Sequence, residues 1–198
     1  EDISNKCDKE TCVIIRSSIY PGIFNRIETV FKNNGIKNVS YCPERIVQGF
    51  AIRELSNLPQ IISANNIQSK EKSKEFFLRI TNNIIESNVE EAELAKLFSN
   101  AWRYIQFAAS NQFAMMSKYH GCSYQKIHDI MTKGYERNKD LPKAGFAAGP
   151  CLLKDTMQLF SFYDNSFNLG QAAMNINEGY PLFIVNEYLS KYKLENLK

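Results

Sequence analysis

The sequence predicts an α/β segment carrying a short parallel sheet, residues 1–86, followed by an all-helical segment, residues 87–198, with helix predominating overall. Two observations carry this reading. Residues 11–42 run strand, helix, strand, each bounded by turn residues, and a strand–helix–strand unit implies parallel pairing with a right-handed crossover. From Ser87 onward the apolar positions keep helical spacing and no strand pattern returns.

Taken in order, residues 11–15 (Thr-Cys-Val-Ile-Ile) are short, apolar and β-branched, as a strand buried on both faces requires. Pro21-Gly22 turns the chain into a helix over about 23–34, with Ile23, Phe24, Ile27, Val30 and Phe31 on its apolar face and Asn34-Gly35 as its stop. Residues 39–42 form the second strand, a third falls within 58–63, a helix spans 70–79, and a last strand falls within 81–86. Ser87-Asn-Val-Glu90 reads as a capping box. Behind it a helix runs to about Tyr119, with Leu94, Leu97, Phe98, Ala101, Trp102, Ile105, Ala108 and Ala109 in phase and Gly121 ending it. Ser123 caps the next helix, which carries Ile127, Ile130 and Met131 and stops at Gly134. A loop of roughly fifteen residues follows, a length that in compact domains usually serves function. Helices over 151–163 and 168–193 complete the chain, and Pro181 is expected to kink or restart the last one.

The 198 residues suffice for one or two domains. With 44% apolar and 23% charged residues, a net charge of +3 and no basic block, the chain reads as globular and is a poor match for nucleic-acid binding. No apolar run approaches the ~20 residues of a membrane span, and no signal peptide pattern is present. The five cysteines (7, 12, 42, 122, 151) lack metal-ligand spacing, and His120 and His128 form no ligand cluster. This implies reduced thiols, a cytoplasmic setting and no bound metal.

Cys151 carries the clearest chemistry. It lies in Ala144-Gly-Phe-Ala-Ala-Gly-Pro-Cys-Leu-Leu-Lys-Asp155, where small residues allow close approach of backbone to a ligand. It opens a helix whose N-terminus favours thiolate over thiol. Lys154 and Asp155 follow about one turn later, near the same face. A buried structural cysteine beside an ordinary Lys–Asp pair is the alternative. A second constellation is the stripe Lys96, Asn100, Arg103, Phe107 and Asn111 along the long helix, mostly polar on an otherwise apolar element. Lys96 and Asn100, at i and i+4, suit joint donation to one oxygen; a solvated face is the alternative. Two further motifs stand at strand ends, where open α/β sheets bind ligands: Tyr41-Cys-Pro-Glu-Arg-Ile46, with Glu44 as base or water anchor, and Arg16-Ser-Ser-Ile-Tyr-Pro-Gly22. Alone, the first is an unremarkable tripeptide in context and the second an ordinary turn with a helix cap.

In this order the motifs resemble the UDP-glucose/GDP-mannose dehydrogenase family, over roughly residues 10–190. The family's Ser-Thr-x-x-Pro-Gly appears as Ser17-Ser18-Ile-Tyr-Pro21-Gly22, its Pro-Glu-Arg-Ile as Pro43 to Ile46, its Ala-Glu-Leu-x-Lys-Leu-x-x-Asn as Ala92 to Asn100, and its Gly-x-Cys-x-x-Lys-Asp as Gly149 to Asp155. Ser18 replaces the usual Thr and keeps the hydroxyl, Ala147-Ala148 replace common glycines, and Pro150 replaces a frequent His or Ser. The Cys-Pro-Glu-Arg-Ile form is closer to the branch acting on UDP-N-acetyl-hexosamines than to the glucose enzymes.

The resemblance implies a Rossmann-like parallel sheet (1–86, the C-terminal part of an NAD-binding domain) followed by an all-α central dimerisation domain (87–198). It further implies an amino-terminal half of the NAD domain and a UDP-binding domain outside these residues. The implied activity is NAD-dependent oxidation of a UDP-sugar C6 alcohol to the uronate through a thiohemiacetal and thioester on Cys151. The implied catalytic residues are Cys151, Lys96, Asn100, Asp155, Glu44 and Ser18. Ser17, Ser18, Glu44 and Lys154 would bind cofactor; Glu44, Arg45, Lys96, Asn100, Arg137 and Gly149 would bind substrate. A homodimer through the helical domain is implied. With no Gly-x-Gly-x-x-Gly in the chain, the 198 residues alone are expected to bind NAD weakly and to be inactive. The rivals are a 6-phosphogluconate or β-hydroxyacid dehydrogenase, which needs no thiol, and a non-catalytic helical dimerisation core.

Overall fold

The computed structural model describes residues 3–47, 49–147 and 149–192, in two compact units, Glu1–Phe98 and Ser99–Lys198. In the first unit, β1 (Cys12–Ile15) pairs in parallel with β2 (Asn38–Tyr41), and β3 (Gln60–Ile62) with β4 (Ile84–Glu86). The registers set Val13 opposite Val39 and Ile61 opposite Ile85. A single antiparallel bridge, Tyr41 to Ser63, joins the two pairs at 2.8 and 3.0 Å.

Strand alternation divides the apolar residues into two clusters. Val39, Tyr41 and Ile61 pack with Phe24 and Phe31 of α1 (Ile23–Asn33) and with Val89 and Ala92 of a later helix. Cys42 and Ile62 pack with Phe77 of α3 (Ile67–Leu78), backed by Ile14 and Ile84. Full burial of a side chain such as Phe24 or Ile62 contributes roughly 1.5–3 kcal/mol. Serines line the α3 approach: Ser73 Oγ donates to Ser40 Oγ at 2.7 Å, and Ser40 Oγ to the Ser69 carbonyl at 3.0 Å. The Asn34-Gly35 stop ends α1 in a Schellman motif: Ile36 N bonds the Phe31 carbonyl, Gly35 N bonds the Lys32 carbonyl, and Gly35 takes φ +81°.

Three details differ from the sequence reading. A short helix α2 (Ala51–Asn57) forms where no element is expected, because two turns without a buried residue or a side-chain cap leave no periodic signal. The capping box of α4 (Val89–Tyr119) lies one residue on from Ser87: Asn88 Oδ1 accepts the Glu91 amide at 2.8 Å and Glu91 Oε2 accepts the Asn88 amide at 3.2 Å. Ser87 is still held by the sheet, its amide bonded to the Ile62 carbonyl. Ser123 occupies the N-cap position of α5 (Tyr124–Thr132) without making the side-chain bond.

The second unit comprises α4 from Ser99 on, α5, α6 (Pro150–Phe162) and α7 (Asn168–Tyr192), so the units part further along α4 than the change of character at Ser87. Tyr104, Ala108, Leu152 and Ala173 form its core. Helix α7 continues through Pro181 as one element, and Lys193, its expected end, lies outside the described residues.

Glu93 ties the first unit together. Its carboxylate is fully buried and accepts the Gly22 amide at 2.6 Å and the Phe24 amide at 3.0 Å, closing the N-terminus of α1 from α4. Glu93→Ala should lower unfolding free energy at neutral pH by about 1–2 kcal/mol, the loss expected for an N-terminal cap. Burial holds this carboxyl above the usual glutamate range although the two amides pull it down. With the folded value raised, its proton-linked stabilisation is complete below the unfolded value and declines as pH rises through the folded one. Urea unfolding from about pH 4 to 7 should therefore show the wild type losing stability relative to Glu93→Gln as pH rises. An invariant difference between the two proteins would refute this.

Candidate active site

In the first unit the motif residues cluster at the C-terminal ends of β1 and β2. Parallel pairing continues past the strands, with the Glu44 amide bonded to the Arg16 carbonyl at 3.0 Å. Glu44 Oε2 pairs with the Arg16 guanidinium, and Glu44 Oε1 accepts the Arg45 and Ile46 amides at 2.7 and 2.9 Å. Arg16 also donates to Gln60 Oε1 at 3.2 Å and lies over the Phe77 ring at 4.9 Å. Burial pulls the Arg16 guanidinium below its usual value, against the opposing pull of Cys42, and burial likewise lowers Arg45. Arg45 directs its guanidinium to the Pro59 carbonyl. Ser17 is exposed and Ser18 half-buried on the turn that leads to Gly22. Lys96 is half-buried on α4, one turn after the Glu93 clip.

In the second unit α6 begins at Pro150, directly after Gly149, whose φ of +89° and ψ of 148° are open essentially only to glycine. Added bulk there would meet nothing within 4 Å, so the requirement is conformational. Cys151 stands exposed in the first turn. Asp155, one turn on, is fully buried; its Oδ2 accepts Asn100 Nδ2 at 2.6 Å and its Oδ1 lies 3.3 Å from Lys154 Nζ. Thus Asn100 of α4 and the Lys154–Asp155 pair of α6 meet within a turn of the cysteine. Arg137, in a 3-10 turn (Glu136–Asn138), is exposed and contacts the Tyr135 hydroxyl at 3.3 Å. Ala148 lies outside the described residues.

The polar stripe of α4 is not one solvated face. Arg103 is exposed, but Asn111 is fully buried, its Oδ1 accepting the Gly145 amide at 2.8 Å and its Nδ2 donating to Asn177 Oδ1 at 2.9 Å. Glu93 and Asn177 escaped the sequence reading. Glu93 stands inside the quoted Ala92–Asn100 motif, whereas nothing in the sequence links Asn177 to Asn111.

These clusters stand on a short parallel sheet in the first unit and on a set of packed helices in the second. Residues 1–81 match the NAD binding domain of the UDP-glucose/GDP-mannose dehydrogenase family and residues 90–179 match its central domain. The chain belongs to this family. It is similar to a UDP-N-acetyl-D-mannosamine dehydrogenase of Methanocaldococcus jannaschii, 27% identical over 94% of this chain and 44% of the relative. It is similar also to a UDP-glucose 6-dehydrogenase of Rickettsia bellii, 25% identical over 94% of this chain and 45% of the relative. The solved structure of a UDP-D-ManNAc dehydrogenase from Pyrococcus horikoshii superposes with a TM-score of 0.87 at 25% identity, over 96% of this chain and 48% of that one. The chain thus spans about half the length of the relatives it matches.

At the strand ends stand Ser17, Ser18 and a Glu44 carboxylate already held by Arg16 and two backbone amides. The N-termini of α1 and α3 are capped from within the unit, α1 by Glu93 and α3 by Asn66, whose Oδ1 accepts the Ser69 amide at 2.8 Å. Among the described residues no cluster of His, Cys, Asp and Glu is placed to hold a metal.

Thiol accessibility is testable directly. Burial pushes the Cys42 thiol up to about 12, partly offset by Ser63 and Arg16, leaving roughly one part in 10⁴ as thiolate at about pH 8. Cys122 and Cys151 are exposed. Site-resolved iodoacetamide labelling of the folded chain should modify Cys122 and Cys151 and spare Cys42. Labelling of Cys42 at a comparable rate would contradict the packing described.

Proposed function

We propose that this chain carries the thiol and polar catalytic groups of an NAD-dependent nucleotide-sugar 6-dehydrogenase. Its substrate is a UDP-sugar, of the N-acetyl-hexosamine type or UDP-glucose, oxidised at the C6 alcohol to the uronate. The observation that carries this reading is the Asn100–Asp155–Lys154 cluster beside the exposed Cys151. The relatives named as UDP-sugar dehydrogenases support the substrate class.

Ser17, Ser18 and Glu44 would hold the nicotinamide end of NAD, which would supply the two-electron acceptor for each oxidation. At the C6 aldehyde, Cys151 Sγ adds to the carbonyl carbon and the oxygen takes the negative charge. Asn100 holds one amide hydrogen on Asp155 and has a second for that oxyanion. Lys96, one turn earlier on α4, adds a cation to the same task. After the second oxidation the C6 carbon is a thioester; water adds to it, the C–S bond breaks and the thiolate is restored, leaving the carboxylate. Asp155 keeps the Asn100 amide and Lys154 in place and assists proton transfer. Glu44, held by Arg16 and two backbone amides, acts as a fixed negative charge that orients substrate or water. Gly149 lets the backbone turn sharply toward the sugar, and Arg45 and Arg137 complete the substrate contacts. A cytoplasmic enzyme fits the absence, among the described residues, of any helix long and apolar enough to cross a membrane.

A homodimer through the helical unit is part of this reading. Trp102, Met116, Leu182, Val185 and Tyr188 on α4 and α7 are each more than half exposed, an apolar load that favours a partner surface.

Assayed on the full-length gene product, the wild type should form two NADH per sugar oxidised. Cys151→Ser should abolish uronate formation while leaving the fold intact; uronate at near wild-type rate from this variant would sink the thiol mechanism. The rival β-hydroxyacid reading expects one NADH per substrate. Light scattering at tens of micromolar should give twice the chain mass, and a strictly monomeric mass would refute the dimer.

A further inference from the structure

The long loop before Cys151 is held by buried side chains that the mechanism above does not use. His128 Nε2 donates to the Leu141 carbonyl at 3.0 Å, and Ser110 Oγ to the Pro142 carbonyl at 2.6 Å. Asn111 Oδ1 accepts the Gly145 amide at 2.8 Å. Asn111 is itself oriented: its Nδ2 donates to Asn177 Oδ1 at 2.9 Å, and Asn177 Nδ2 donates to the Tyr104 carbonyl at 2.9 Å. The relay therefore runs from the α4 backbone through α7 and back through α4 to the loop, with one direction of donation throughout. An amide reversed at either position would set donor against donor, so each asparagine fixes the other. Asn111 is fully buried and Asn177 is 5% exposed, so water does not substitute for either partner. A buried amide pair costs desolvation that an apolar pair avoids, and the structural return here is a single acceptor aimed at one loop amide.

We propose that Asn111 and Asn177 are positioning residues for the Cys151 loop: their relay sets where the backbone runs at Gly145, and through the following residues the approach of substrate to the thiol. The effect on turnover rests on the dehydrogenase reading; the effect on the loop does not.

Hydrogen–deuterium exchange on the 198-residue chain tests the loop, and steady-state kinetics on the full-length gene product test the consequence. Asn111→Leu keeps the bulk of the side chain and removes the acceptor. It should speed exchange at Gly145 about tenfold, the scale set by losing one net hydrogen bond, with the α4 and α6 helical amides unchanged. Asn111→Asp keeps the acceptor for Gly145 but loses the donor to Asn177, and should give a smaller rise than the leucine variant. Asn177→Ala, which leaves Asn111 present but unoriented, should give an intermediate rise and serves if the leucine variant does not fold. In turnover, Asn111→Leu should raise KM for the sugar and lower kcat/KM about tenfold or more, and Asn111→Asp should recover part of the loss. Unchanged exchange at Gly145 in Asn111→Leu, or a uniform rise over α4, α6 and α7, overturns the proposal. If the wild type shows no turnover, the dehydrogenase reading fails and the exchange result still decides the positioning role.

Discussion

The Glu93 carboxylate sits with no solvent exposure between α4 and α1, its oxygens accepting the Gly22 and Phe24 amides. A buried carboxylate is tolerable only where charge-assisted bonds replace its hydration, and the unpaired amides of a helix N-terminus supply them. The consequences reach outward. Gly22 is fixed at positive φ, the turn bearing Ser17 and Ser18 is fixed ahead of it, and the start of α4 is fixed in rotation, with Lys96 one turn further along. The same contact satisfies two amides at the start of α1 from within the unit.

The second unit solves a similar problem with amides. Asn100 pairs with the buried Asp155, and Asn111 with Asn177, about three turns apart on one side of α4. The first contact places polar groups beside Cys151; the second leaves the helix and ends on the loop. Both rely on a long helix whose polar positions face inward at intervals, with Tyr104 and Ala108 filling the apolar space between. Polar burial here is therefore a means of setting position, and the apolar core around it supplies most of the stability.

Much of this was legible in the residues alone. A β-branched run identified β1, the Asn34-Gly35 pair located the end of α1, and the spacing of Leu97, Ala101, Ala108 and their neighbours identified α4. The motif around Cys151 was legible because loop, helix start and Lys–Asp pair lie within a dozen consecutive residues. Helix α2 was not, since a short exposed helix has neither period nor core. The capping box was displaced by one residue because Ser87 and Asn88 are chemically equivalent caps, and only the sheet bond to Ile62 separates them.

The sequence by itself determined the local elements, their order, and the residues that carry chemistry within each short motif. Those properties depend on neighbours along the chain: side-chain period, backbone freedom at glycine, and cap chemistry. Only the tertiary structure decided that the four strands form two pairs joined by one bridge, that Glu44 is held by Arg16, that Glu93 closes α1, and that Asn111 finds Asn177. Those partners stand far apart in sequence, separated by 69 residues for Glu93 and Phe24 and by 66 for Asn111 and Asn177. A buried polar group accepts whichever complement the packing brings to it, and that choice is made in space, where no sequence period records it.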